Sequence, residues 1–482
     1  MARAMLTLLV LLITVGCERR PDNVPVVVSV VGGRAGLVEP SQRDMTEPQR
    51  VLVGATAQGL VRFDANGQVE PGLAERWIMI DDGTSYIFRL GEAEWADGSR
   101  VTAGDVVAVL NRAIAEGSAN RLQPFLANIN EAVEMTPQIV ELRLRRPVPN
   151  LLQLLAQPEL AIIRARGLTG SGPFRVAERE GGSLVLSPVF DPVANPDAAE
   201  PQPEDLVRLR GERAALAIAR FAALASDLVL GGSYLDWPLL GLAELPPRSV
   251  RTDPAAGLFG FAVIGRQGFL ASSTAREAVA MAIDRPRLLA QFRQDWAPAE
   301  TILPEPLDSA APPAEPSWRS LNYDIRLALA RTRVNNWAAD QGAPAIRIAL
   351  PDGPGANLVW GAVAADLRAA GMRPQRVGMR AAADLILIDL VAPTDTARWY
   401  LTSACVRCAD DAATLIDAAR DATTTDAKRQ RLAEADAALT ADAAFIPIAR
   451  PLRWSLVAPR LRQWQGNARG WHPLNRLRAD PN

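Results

Sequence analysis

Histidine is nearly absent from this chain: His472 is the only one in 482 residues. A Ser-His or Cys-His nucleophilic mechanism would have to use that one residue near the C-terminus. A protein-ligated zinc or nickel site normally draws on several His or Cys, so no metal and no cofactor is expected. Lysine is equally scarce. Lys428 stands alone, and the remaining basic residues are arginine. The 52 basic and 54 acidic residues leave a net charge of −2, so no global field points to nucleic acid or an anionic membrane. The dispersed arginines read as solvated surface and ion pairs. There is no internal repeat or low-complexity tract. The glycine loop Gly170-Ser171-Gly172-Pro173 is not followed by Gly-Lys-Ser/Thr, which excludes a phosphate-cradling P-loop.

What is present is apolar bulk. The composition is 49% hydrophobic, enough for a large core, and the length exceeds one ordinary domain. Residues 1–17 read as a targeting segment: Arg3, an apolar run from Leu6 to Val15, then Gly16-Cys17. About ten apolar residues cannot cross a bilayer that needs ~20. The pattern resembles a bacterial lipoprotein signal cleaved before a lipidated Cys17, with Thr14 where that motif usually has Leu, Val or Ile. A plain secretory signal is the alternative, and either one exports the protein. Cys405 and Cys408 remain. In an oxidising compartment they suit a disulfide closing a very small loop. A Cys-x-x-Cys redox site is the sharper reading, opposed by the negative charge of Asp410 and Asp411. Free thiols are the third.

The stretch from Gly59 to Ile114 is the most informative. Phe63-Asp64-Ala65-Asn66-Gly67, Asp81-Asp82-Gly83 and Asp97-Gly98 read as turns. Ser85 to Leu90 alternates as a half-buried strand. Thr102 to Asp105 forms a capping box, and Val106, Val107, Leu110 and Ile114 stripe the helix that follows. These features define an α+β unit. The order of residues resembles the family-5 extracellular solute-binding proteins of ABC importers, the oligopeptide, dipeptide and nickel-binding group. The resemblance runs through Pro71, Leu73, Ala74 and Trp77, then Asp82-Gly83 with Tyr86, Phe88 and Leu90, then Asp97-Gly98 with Thr102, Ala103, Asp105 and Val106. It returns at Gly170 to Phe174. It is close again over Arg276, Ala278, Ala282, Ile283, Asp284 and Arg285.

The resemblance implies an α/β, bilobal periplasmic-binding-protein fold of class II type with the three-segment family-5 architecture. Residues 18–46 with 168–262 and 450–482 would form lobe 1. Residues 47–167 would form an extra α+β domain on it, and 263–449 lobe 2. It also implies a monomer in the periplasm, held to a membrane by lipid at Cys17. Such a protein captures a small-molecule or peptide ligand and passes it to an ABC transporter permease in the inner membrane. Neither catalysis nor nucleic-acid binding is expected.

Strands are expected at Val26 to Val31, Gln138 to Arg145, Gly257 to Ile264 and Ile346 to Leu350, and Phe445 to Ile448 resembles the segment that ends the family's second lobe. Asp384 to Val391 reads as a buried parallel strand. Glu39 falls in a loop that the family uses to line its cleft. Peptide-binding relatives set an aspartate against the ligand ammonium. Over Ile388 to Thr396 only Asp395 matches their pattern, Ala392 stands at the ammonium-binding position, and Asp389 replaces a Trp. Asp389 is thus either a substitute partner or the end of a strand. Tyr234, Trp237 and Trp399 are aromatic candidates for the cleft, each equally suited to core packing. Two rival functions follow: a ligand sensor or envelope-partner protein on the same fold, and a Cys405/Cys408 thiol oxidoreductase.

Overall fold

The computed structural model describes residues 20–164, 167–190 and 199–478. Cys17, the targeting segment and part of the Pro-rich loop at 195–203 lie outside the described residues. Two large sheets organise the rest. The first has seven strands, in the order Phe174–Glu180, Ser183–Pro188, Val207–Glu212, Val26–Val31, Leu228–Ser233, Arg453–Val457, Val250–Asp253. Val26–Val31 lies parallel to both of its neighbours. Its valines are buried because both faces of this central strand are covered. Gly181 and Gly182 close the hairpin between the first two strands, with φ of +52° and +81°.

The second sheet has five strands, in the order Arg373–Val377, Ala345–Ala349, Leu385–Val391, Gly257–Val263, Phe445–Ala449. Gly257–Val263 pairs antiparallel with both of its neighbours. The expected division between residues 262 and 263 therefore cuts through a strand of lobe 2. The chain changes lobes after Asp253, just before Gly257. The expected parallel strand is also corrected in part. Leu385–Val391 is parallel to Ala345–Ala349 but antiparallel to Gly257–Val263. Only Leu385 and Leu387 on it are fully buried, and Leu390 is exposed.

A third sheet of four antiparallel strands, Ala74–Ile80, Ser85–Leu90, Ile139–Leu144 and Ile129–Thr136, carries the helix Ala103–Ile114. One hydrophobic core runs through it and the seven-stranded sheet, joining Val28 and Leu209 to Phe88 and Leu110. Thr102 starts the helix as read: its N–H donates to Asp105 Oδ2 at 3.0 Å, and the Asp105 N–H donates to Thr102 Oγ1 at 3.2 Å. Lobe 2 has separate apolar cores, one around Phe261, Val279 and Ile348, another around Leu258, Leu401 and Leu432.

The motif from Arg276 to Arg285 is scaffold. Arg276 donates to the carbonyls of Leu270, Ala271 and Asp442 at 2.9, 3.0 and 2.7 Å, and pairs with the Asp442 carboxylate. Asp284 caps Arg285–Leu289 by accepting from the Arg287 N–H at 3.1 Å. The buried Arg285 donates to the carbonyls of Pro447, Ala280 and Ile283, tying these helices to Phe445–Ala449. Cys405 and Cys408 form a disulfide just after the helix Ala397–Ala404.

Candidate functional site

The strands that change burial at the edge of lobe 2 face a cavity of about 290 Å³. Lobe 1 contributes Leu230 to Ser233, Asp253, Arg453 to Ser455 and the C-terminal segment 469–472. Lobe 2 contributes Asp389 to Pro393, and the extra domain contributes Glu47, Arg50, Arg121 and Gln157. Gly232 is required here. A Cβ on it would sit 2.2 Å from the Trp454 ring, so only glycine lets Leu228–Ser233 pass so close to that indole.

The walls are lined with arginine, and nearly every charge is paired within the chain. Arg453 of lobe 1 donates Nη1 to Asp389 of lobe 2 at 2.9 and 3.0 Å. Burial pushes the Asp389 carboxyl up from its ordinary value, and the Arg453 guanidinium opposes that shift. Arg469 donates to the Ala392 carbonyl at 3.0 Å and pairs with the Asp395 carboxylate. Arg50 reaches Glu159 through Nε at 2.8 Å and Glu47 through Nη1 at 2.9 Å. Burial disfavours the Arg50 cation, but the two carboxylates outweigh it and hold its pKa above the ordinary value. Arg121 shares Glu159 at 2.7 Å; burial and the Arg50 cation push its pKa down. His472 faces Asp253, Nε2 to Oδ2 at 3.2 Å, and lies against Trp464 with ring centres 4.8 Å apart.

Further contacts span the two sides of the cleft. Gln157 Nε2 donates to the Pro393 carbonyl at 2.7 Å, Asn150 Nδ2 to the Asp395 carbonyl at 2.7 Å, and Gln153 Nε2 to Asp395 Oδ2 at 2.9 Å. Lobe 2 thus meets both lobe 1 and the extra domain in one closed arrangement.

Asp389 lines the cavity, and Asp395 lies beside it on the lobe contact. The other candidates are elsewhere. Glu39 is buried under Arg112, accepting from its Nε at 2.8 Å, and holds a loop to Ala103–Ile114. Tyr234 packs its ring 4.8 Å from Phe259 in the lobe 2 core. Trp237 donates Nε1 to the Phe292 carbonyl at 2.7 Å. Trp399 is buried edge-on to Tyr400. These four are corrected: they lie off the cavity wall and spend their contacts on packing and bracing. Glu39 holds lobe 1 to the extra domain, Tyr234 and Trp237 brace lobe 1 against lobe 2, and Trp399 packs within lobe 2. The reading of the arginines as solvated surface is corrected too. Arg50, Arg453 and Arg469 are largely buried at the cleft.

Two lobes around a polar cavity, with the chain crossing between them, define a solute-binding protein. A model of the bacterial extracellular solute-binding proteins, family 5, matches residues 68–385, and the chain belongs to that family. Its fold and family are those of substrate-binding proteins and not of enzymes. The chain is 32% identical over 165 residues to the probable deoxycholate-binding periplasmic protein YgiS of Escherichia coli K12, a match covering 29% of this chain and 30% of that protein. It is 29% identical over 164 residues to the glutathione-binding protein GsiB of the same strain, covering 31% of each. The matched part is therefore under a third of either relative. The solved structure of OppA from Burkholderia pseudomallei superposes with a TM-score of 0.78 at 15% identity, over 94% of this chain and 99% of that one.

Proposed function

We propose that this protein is an exported receptor, anchored in the envelope by lipid at Cys17, that captures a small solute between its lobes. The solute is a peptide or a peptide-like molecule, and the closed form delivers it as a monomer to an ABC importer permease. The observation that carries the reading is the cavity whose facing walls are Arg453 of lobe 1 and Asp389 of lobe 2. A solute there touches both lobes at once, so its binding energy depends on closure, and closure is what a permease can read. Asp389 serves as a lobe-to-lobe contact at the ligand, and Asp395 secures the rim. The named ligands of YgiS and GsiB, a bile acid and a tripeptide, are of a size class that suits such a receptor.

Native mass spectrometry on protein taken from the envelope without refolding tests this. The expected result is one small bound mass, together with a diacylated Cys17 at the mature N-terminus. Thermal shift supports the assignment if the eluted solute restores stability; at roughly 100-fold over its dissociation constant it adds roughly 2.7 kcal/mol. Protein that is empty, and that no envelope extract stabilises, contradicts capture. Uptake that survives deletion of the linked permease gene contradicts delivery.

A further inference from the structure

The lobe 2 carboxylate nearest the ligand space is already occupied by the chain itself. Asp389 receives Arg453 Nη1 on both oxygens, at 2.9 and 3.0 Å, and Arg453 Nη2 reaches the Asp389 carbonyl at 3.4 Å. The other carboxylates on the cavity wall are also engaged. Asp253 accepts from the Asn467 N–H at 3.0 Å and faces His472 at 3.2 Å. Glu47 accepts from Arg50 at 2.9 Å. An incoming ammonium therefore meets Asp389 and Glu47 already paired with a guanidinium, and to bind Asp389 it must displace Arg453. The displaced guanidinium is then left partly buried without its partner, a state that costs several kcal/mol.

Arg121 differs from every other charge in the cavity. Its side chain is 39% exposed, and its carboxylate among the described residues is Glu159, contacted through Nε. Arg50 Nε reaches the same Glu159 oxygen at 2.8 Å, so two cations draw on one acceptor atom. Glu159 is itself buried and is not on the cavity wall, and it reaches Arg121 through Nε, the inner nitrogen of the guanidinium. The planar fork of Arg121 is matched to a carboxylate, which can take two parallel N–H donors. A carboxylate ligand gains a charge-assisted contact there and breaks no pair of the chain. The cavity, about 290 Å³, is near the lower end of the 300–1,000 Å³ span of small-molecule pockets, so the ligand is compact.

We propose that this cavity selects a small organic acid by docking its carboxylate on Arg121, and that Arg453 sets specificity by filling Asp389 and so excluding amines. The proposal rests on the solute-capture reading above. A peptide can enter, held by its carboxyl end or an acidic side chain and not by its amino group.

The test uses the full mature protein and ultrafiltration with mass spectrometry on four probe pools. These are free dipeptides, their N-acetyl derivatives, their C-terminal amides, and simple mono- and dicarboxylic acids. The expected result is retention from the acetylated and simple-acid pools and none from the amides. Arg121→Ala lowers affinity for a retained acid about tenfold or more, Arg121→Lys recovers part of it, and a thermal melt shows both variants folded. Amides retained as well as acids overturn the proposal. So does retention that acetylation abolishes. If the pools are not retained while an envelope extract leaves a bound mass, capture stands and the acid assignment falls. If the extract also leaves nothing bound, the capture reading itself fails.

Discussion

Asp436 shows how much a single side chain costs when burial outruns pairing. Its Oδ2 accepts the Ala314 N–H at 2.7 Å, but its Oδ1 is buried with no partner, and burial pushes the carboxyl up to about 6. A carboxyl whose folded pKa is raised contributes stability below its unfolded value near 4, and that contribution is lost as pH rises through about 6. Between pH 4 and 7 the wild type should lose stability on the order of 2 kcal/mol relative to Asp436→Asn. Urea midpoints at both pH values check this, and parallel pH profiles for the two proteins would contradict it. Residue identity is also where the sequence was least legible. Tyr234, Trp237 and Trp399 have the chemistry of a ligand wall, but aromatic side chains pack cores equally well. Arg121 and Arg469 carry no local signal at all, and Arg50 is marked only by the helix start that precedes it. They meet because segments some 350 residues apart in sequence converge at the cleft, and no spacing reveals that.

At the scale of elements, local chemistry was a good guide wherever a cap or turn fixes the backbone. Ser85–Leu90 and Val26–Val31 form as read, and Thr102 starts its helix through the capping box. Thr102→Ala should cost about 1 kcal/mol, seen as a lower urea midpoint with unchanged slope. Glu47–Thr56 and Tyr323–Gln341 went unread for different reasons. Glu47–Thr56 has its own capping box, with the Thr46 N–H donating to Gln49 Oε1 at 3.0 Å. The Thr46-Glu47-Pro48-Gln49 pattern was therefore available, and it would have located Glu47 and Arg50. Tyr323–Gln341 offers no such stripe, since only Ala330 and Val334 along its 19 residues are buried. Strand Leu228–Ser233 gives the sharpest element-level test. Gly232→Ala puts a methyl group 2.2 Å from the Trp454 indole, so the strand or the ring must move. The expected loss is about 1–3 kcal/mol, with a changed tryptophan emission. An unaltered melting temperature would contradict the packing described here.

The molecule as a whole is one core shared by lobe 1 and the extra domain, facing a second lobe that it meets through polar contacts and through Tyr234 and Trp237. Its fold class was legible because the matching motifs, Trp77 to Ile114 and Arg276 to Arg285, build the scaffold. Its lobe boundary was not, because the β-pairing of Gly257–Val263 decides it and pairing leaves no local mark. Three ion pairs cross the cleft: Arg453 with Asp389, Arg469 with Asp395, and Arg146 with Asp421 at 3.3 Å. Charged contacts with exposed partners weaken in salt, so closure should be less favourable at high ionic strength. Arg453→Met should shift the ligand-free protein toward the open form while leaving each lobe folded, because it removes the Asp389 pair between lobes and, within lobe 1, only a contact to the adjacent Leu452 carbonyl at 3.1 Å. The most direct measurement of the central claim is small-angle scattering on solute-stripped protein, before and after saturation with the solute eluted from the native complex. Closure on the bound solute predicts a smaller radius of gyration after saturation. An unchanged radius, with native mass spectrometry showing the solute bound, would contradict it.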